Sequence, residues 1–77
     1  MICAEIPILD IEEEQYVGNE IYMRLRDEPL QCRPGDNIIV YTYFNGSNGI
    51  VIKSEAMLLK YLGNRVARLI GYVKYRH

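Results

Sequence analysis

The chain predicts a small, mainly β (or α+β) domain: a strongly bent antiparallel sheet or partly open barrel of about five strands. Three observations carry that expectation. Apolar residues alternate with polar ones along several short runs, the signature of half-buried strands. The densest run, Asn37–Phe44, is rich in β-branched and aromatic residues. Turn residues recur at roughly 8–12-residue intervals, as in small all-β folds. With 77 residues, 49% hydrophobic and 25% charged, the chain reads as one domain, 1–77, with an ordinary globular composition.

The elements follow in order. Ile6–Ile11 reads as a short strand carrying Pro7, which lacks an amide donor and belongs at a sheet edge or strand start. Glu12-Glu13-Glu14-Gln15 reads as a solvated loop or one helical turn. Across Glu20–Asp27, Ile21, Met23 and Leu25 share one face and Glu20, Tyr22, Arg24 and Arg26 the other. In Arg33-Pro34-Gly35-Asp36, proline followed by glycine predicts a type II turn. Asn37–Phe44 and Ile50–Lys53 pair as a hairpin around Asn45-Gly46-Ser47-Asn48-Gly49. For 55–62 the composition favours one short helix capped by Ser54, with a strand over Met57–Leu62 as the rival. Arg65–Arg76 is the closing strand. Its expected faces are Ala67, Leu69, Gly71, Val73 and Tyr75 against Arg68, Ile70, Tyr72, Lys74 and Arg76, with Gly71 marking a bulge or bend.

Charge is unevenly spread. Residues 1–36 hold nine acids against three arginines, whereas 56–77 hold five bases and no acid. Such halves commonly complement one another at under about 1 kcal/mol per exposed pair. A sequence pI near 5.7 argues against a dedicated duplex-DNA binder. The apolar stretches are far below the roughly 20 residues of a bilayer-spanning helix. Met1–Glu5 has no basic segment before an apolar run, so no leader is expected and the expected location is cytoplasmic. Cys3 and Cys32 are too few for a disulfide scaffold and read as small buried apolar residues in a reducing compartment.

Signals for catalysis are missing, and no cofactor or metal is expected. The single histidine, His77, is terminal, a poor place to orient a general base. Ser47 and Ser54 sit at a turn or cap, and Glu12, Glu13 and Glu14 are adjacent rather than opposed across a cleft. What remains is a surface constellation of Tyr22, Arg24, Arg26, Tyr41, Tyr43, Arg68, Tyr72, Lys74 and Arg76. Such a set suits protein contact, where tyrosine and arginine supply rigid anchors. It also suits base stacking and phosphate tracking on single-stranded nucleic acid. The plain structural alternative is cross-strand packing of rings beside arginine stems.

Residues 34–77 resemble the C-terminal domain of the LexA/UmuD-like family, which includes many phage repressors. The resemblance rests on Pro34-Gly35-Asp36-Asn37-Ile38-Ile39-Val40, Gly49-Ile50-Val51-Ile52, Leu59-Lys60-Tyr61-Leu62 and Leu69-Ile70-Gly71-Tyr72-Val73. It implies a bent sheet, a habit of pairing with other proteins, and a phage or mobile-element setting. It does not extend to self-cleavage, because no serine precedes Ser47 and Lys60 lacks the family's hydroxyl partner. The expected function is therefore that of a non-enzymatic binding module, a regulator or inhibitor acting on a protein partner. Single-stranded nucleic-acid binding is the alternative, no membrane is involved, and an edge strand offers a route to a homodimer.

Overall fold

The computed structural model describes residues 1–45 and 51–74, with side chains for all of these except 43–45 and 51–54. It is a single six-stranded sheet: β1 (Ile2–Pro7), β2 (Ile11–Val17), β3 (Glu20–Leu25), β4 (Asn37–Asn45), β5 (Val51–Gly63) and β6 (Val66–Lys74). The spatial order is β1-β4-β5-β6-β3-β2. The mainly β, incompletely closed architecture matches the expectation, with two differences. β1 runs parallel to β4, so the sheet is mixed. There are six strands rather than about five, because Ile6–Ile11 is not one strand but the end of β1, the 3-10 turn Ile8–Asp10 and the first residue of β2.

Chain connectivity forces the curl. β1 and β2 occupy opposite edges, yet only the 3-10 turn Ile8–Asp10 joins them. Five strand spacings of about 4.8 Å would put flat edges roughly 24 Å apart. The four steps from Pro7 to Ile11 span at most about 14 Å. The sheet must therefore bend until its edges approach at this end, and one face becomes an interior.

Three rows of cross-strand neighbours build that inner face: Ile6–Val40–Met57–Tyr72, Ala4–Ile38–Leu59–Leu69, and Tyr61–Ala67–Met23–Glu14. Met23, Leu25, Ile38, Val40, Leu59, Tyr61 and Ala67 form the buried core, with Ile8 and Ile11 packed against it from the short connection. Buried Tyr61 keeps its hydroxyl satisfied by accepting the Arg65 amide at 3.1 Å.

Two local expectations are corrected. Residues 55–62 are not a helix but part of β5, because Ile38, Val40, Ala67 and Leu69 offer Met57, Leu59 and Tyr61 a continuous partner surface. Tertiary pairing here overrides the helix preference of Ala56-Met57-Leu58-Leu59. Glu12–Gln15 is likewise not a loop or helical turn but the middle of edge strand β2, turned back into β3 at Gly18-Asn19. Gly18 takes φ +61°, as the first central residue of a tight hairpin requires.

Other turns follow the sequence. Gly35 has φ +98°, and the Asp36 amide donates to the Arg33 carbonyl at 3.0 Å, completing the expected type II turn. The β4–β5 hairpin is paired up to Asn45 and Val51, and its tip lies outside the described residues. Between β5 and β6, Asn64 and Arg65 both adopt positive φ, preceded by Gly63 at +96°. A Cβ on Gly63 would make only an ordinary contact with Pro34 Cγ at 3.4 Å, so it is the positive φ of the turn that calls for glycine.

The cysteines are not separate apolar residues. Cys3 and Cys32 form a disulfide with Cα atoms 5.3 Å apart, tying edge strand β1 to the segment between β3 and β4. Sequence distance hid this pairing: the β1–β4 register brings Ile2 beside Asn37, so the chain around Cys32 passes directly over Cys3.

Candidate binding site

The outer face carries part of the expected constellation. One row crosses five strands as Asn37–Lys60–Arg68–Tyr22–Gln15, and the next places Arg24 between Glu13 and Val66. Tyr22, Arg24 and Arg68 therefore do meet. The charge of Arg68 is compensated, with its Nη1 3.2 Å from Glu20 Oε2, while Arg24 has Glu13 as its cross-strand neighbour without an ion pair between them. The exposed ion pair adds under about 1 kcal/mol to stability, but it reduces the pull on a phosphate chain. A water-sized dimple of about 30 Å³ lies on this patch beside Tyr22 and Arg24.

The remaining members scatter. Tyr41 is half-buried on the outer face beside Ala56, four residues along β4 from the Tyr22 row, or roughly 13 Å. Tyr43 continues β4, but its side chain lies outside the described residues, as does all of Arg76. Arg26 sits beyond the end of β3. Its amide donates to the Asp10 carbonyl at 2.8 Å, and its own carbonyl accepts the Arg65 guanidinium at 3.0 Å. Arg26 thus joins the short connection to the β5–β6 turn rather than the sheet face.

Tyr72 and Lys74 are on the opposite face from the one expected. Leu58 pairs with Gly71 while Leu59 pairs with Leu69, which leaves Ile70 as an extra residue in β6. A one-residue bulge reverses every side chain beyond it. Gly71 and Val73 consequently turn outward, Tyr72 joins the row of Met57 and Val40, and Lys74 opposes Glu55.

This reversal assembles a surface at the open end of the inner face. Tyr72 and Tyr16 are 62% and 71% exposed, and they lie above half-buried Ile21, Met57 and Leu69. Tyr16 was hidden in the sequence inside a charged run. The signal that could have revealed it is Gly18-Asn19 flanked by Val17 and Glu20, a two-residue hairpin pattern.

The Tyr16 hydroxyl donates to Glu14 Oε2 at 3.1 Å. That bond, then the Glu14 charge, slight desolvation and proximity to Tyr72 raise the phenol above its ordinary value. The folded state holds the proton more tightly, so any contribution to stability is complete below about pH 10 and is lost as pH rises through the folded pKa. In an absorbance titration at 295 nm, Glu14→Gln should lower one phenolate transition toward that of free tyrosine, and Tyr16→Phe should delete it. Identical curves for wild type and Glu14→Gln would rule the bond out.

Among the described residues no group of three or more His, Cys, Asp or Glu converges to hold a metal. Lys60 has Asn37 and Arg68 as cross-strand neighbours. Among the described residues no helix is long and apolar enough to cross a membrane. No family model, curated protein or solved structure matches the chain.

Proposed function

We propose that this protein is a small non-enzymatic binding module, a regulator or inhibitor that acts by protein–protein contact through the open end of its curled sheet. The observation that carries the reading is the exposure of Tyr16 and Tyr72 over an apolar floor of Ile21, Met57 and Leu69. Exposed rings on a rigid sheet bring large contact area with few rotamers to freeze, the usual makeup of an interface anchor. Compensation of Arg68 by Glu20, with the acidic Glu13 placed across from Arg24, favours a protein partner over nucleic acid.

The resemblance to LexA/UmuD-like domains points the same way, toward a sheet that pairs with other proteins and not toward peptidase chemistry. A cytoplasmic setting stands in tension with the Cys3–Cys32 bond, because structural disulfides persist mainly in oxidising compartments. Alkylation of thiols before cell lysis discriminates: blocked cysteines indicate a reducing setting, and full pairing an oxidising one.

Affinity capture from nuclease-treated lysate tests the function. A discrete protein should be retained by wild type and reduced about tenfold or more on Tyr16→Ala/Tyr72→Ala. The melting temperature of that variant should stay within a few degrees, since exposed rings add little to stability. Equal capture by both forms would contradict the assignment. Retention that disappears only on nuclease treatment would favour the nucleic-acid alternative.

A further inference from the structure

We propose that a second site, the cleft along the unclosed seam of the sheet, is a socket for an arginine side chain of a partner protein. The cleft holds about 260 Å³ and is lined from edge strand β1, the Ile8–Asp10 turn, the end of β3 and the loop that follows it. Its apolar lining is Ala4 and Ile6 from β1, Leu25 from β3, and Pro29 and Leu30 from the loop after β3. Asp10, Asp27 and Glu28 stand around it.

Three features define the occupant. The volume is below the usual range of about 300–1,000 Å³ for small-molecule pockets, and suits a single long side chain. The apolar walls match an aliphatic stem, and Leu30, 86% exposed at the rim, gains contact only when something enters. The carboxylates call for a cation. Among the described residues none of the three has an ion-pair partner, and the nearby Arg65 guanidinium is engaged with the Arg26 carbonyl. They also do not converge as a metal cluster, so they suit a spread-out charge better than a point ion. Guanidinium is that ion: planar, weakly hydrated and able to donate to more than one carboxylate.

The socket is preformed. The loop is anchored by β3 at one end and by the Cys3–Cys32 bond at the other, and the Cys32 amide donates to the Pro29 carbonyl at 3.0 Å. It is also separate from the tyrosine surface. Leu25 and Ile21 are four residues apart on β3, roughly 13 Å, so either site can fail without the other.

Amide chemical-shift titration with N-acetyl-arginine methylamide tests the proposal, with the uncharged citrulline analogue as control. Shifts should concentrate at Leu25 and Asp27–Gln31, saturate, and be at least about tenfold weaker with citrulline. Asp27→Asn/Glu28→Gln should weaken binding by a similar factor while the remaining amide spectrum stays folded. Equal binding of citrulline, shifts spread over Glu12–Glu14 as strongly as over the cleft, no shifts at all, or an unaffected folded variant would each overturn it.

Discussion

Replacing Leu59 with alanine should cost this protein a large share of its stability. Leu59 is 0% exposed and sits on the inner face between Ile38 and Leu69, within the row that begins at Ala4. Truncating such a residue removes its transfer free energy and leaves a cavity, together about 2–5 kcal/mol. A domain of this length has roughly 4–12 kcal/mol in total. One sheet supplies the whole interior, so no second layer can collapse into the gap. Thermal denaturation should show the midpoint falling by about 15 °C or more. The neighbouring Leu58, which faces outward, should tolerate alanine within about 1 kcal/mol. Equal losses at Leu58 and Leu59 would contradict the assignment of faces.

Loss of the Cys3–Cys32 bond should be comparably damaging. It closes a loop with a sequence separation of 29, worth about 3–4 kcal/mol if the cross-link acts by restricting the unfolded chain. The bond also fastens β1, an edge strand paired only with β4. Cys3→Ser/Cys32→Ser, or reduction of the wild type, should lower the melting midpoint by about 15–25 °C. Amide exchange should accelerate first in β1 and in the 27–36 segment. An unchanged midpoint after complete reduction would show that the sheet holds its edge without help.

Much of the architecture was legible because alternation maps directly onto burial in a one-layer sheet. Ile21, Met23 and Leu25 do face inward, and Pro34-Gly35 makes the expected turn. What escaped reading depends on partners distant in sequence. Residues 55–62 look helical until β4 and β6 are placed beside them, and Glu12–Gln15 looks like a loop until β3 pairs with it. Of the candidate surface, Tyr22, Arg24 and Arg68 come together as alternation implies, because no bulge intervenes. Tyr72 and Lys74 do not join them, since Gly71 signals a bulge without saying which neighbour becomes the extra residue. Here it is Ile70, and parity reverses after it. The cysteine pair was equally hidden, being fixed by parallel pairing between the first strand and one that begins 30 residues after it ends.

The proposed contact surface exists only if that reversal is real, and side-chain NMR measures it most directly. Nuclear Overhauser spectra should show the Tyr72 ring against the Met57 methyl, its inward cross-strand neighbour, with Val73 near Ala56 on the other side. A Tyr72 ring that contacts Ala56 instead, with Val73 beside Glu55, would mean β6 runs without its bulge and would dissolve the tyrosine surface at the open end.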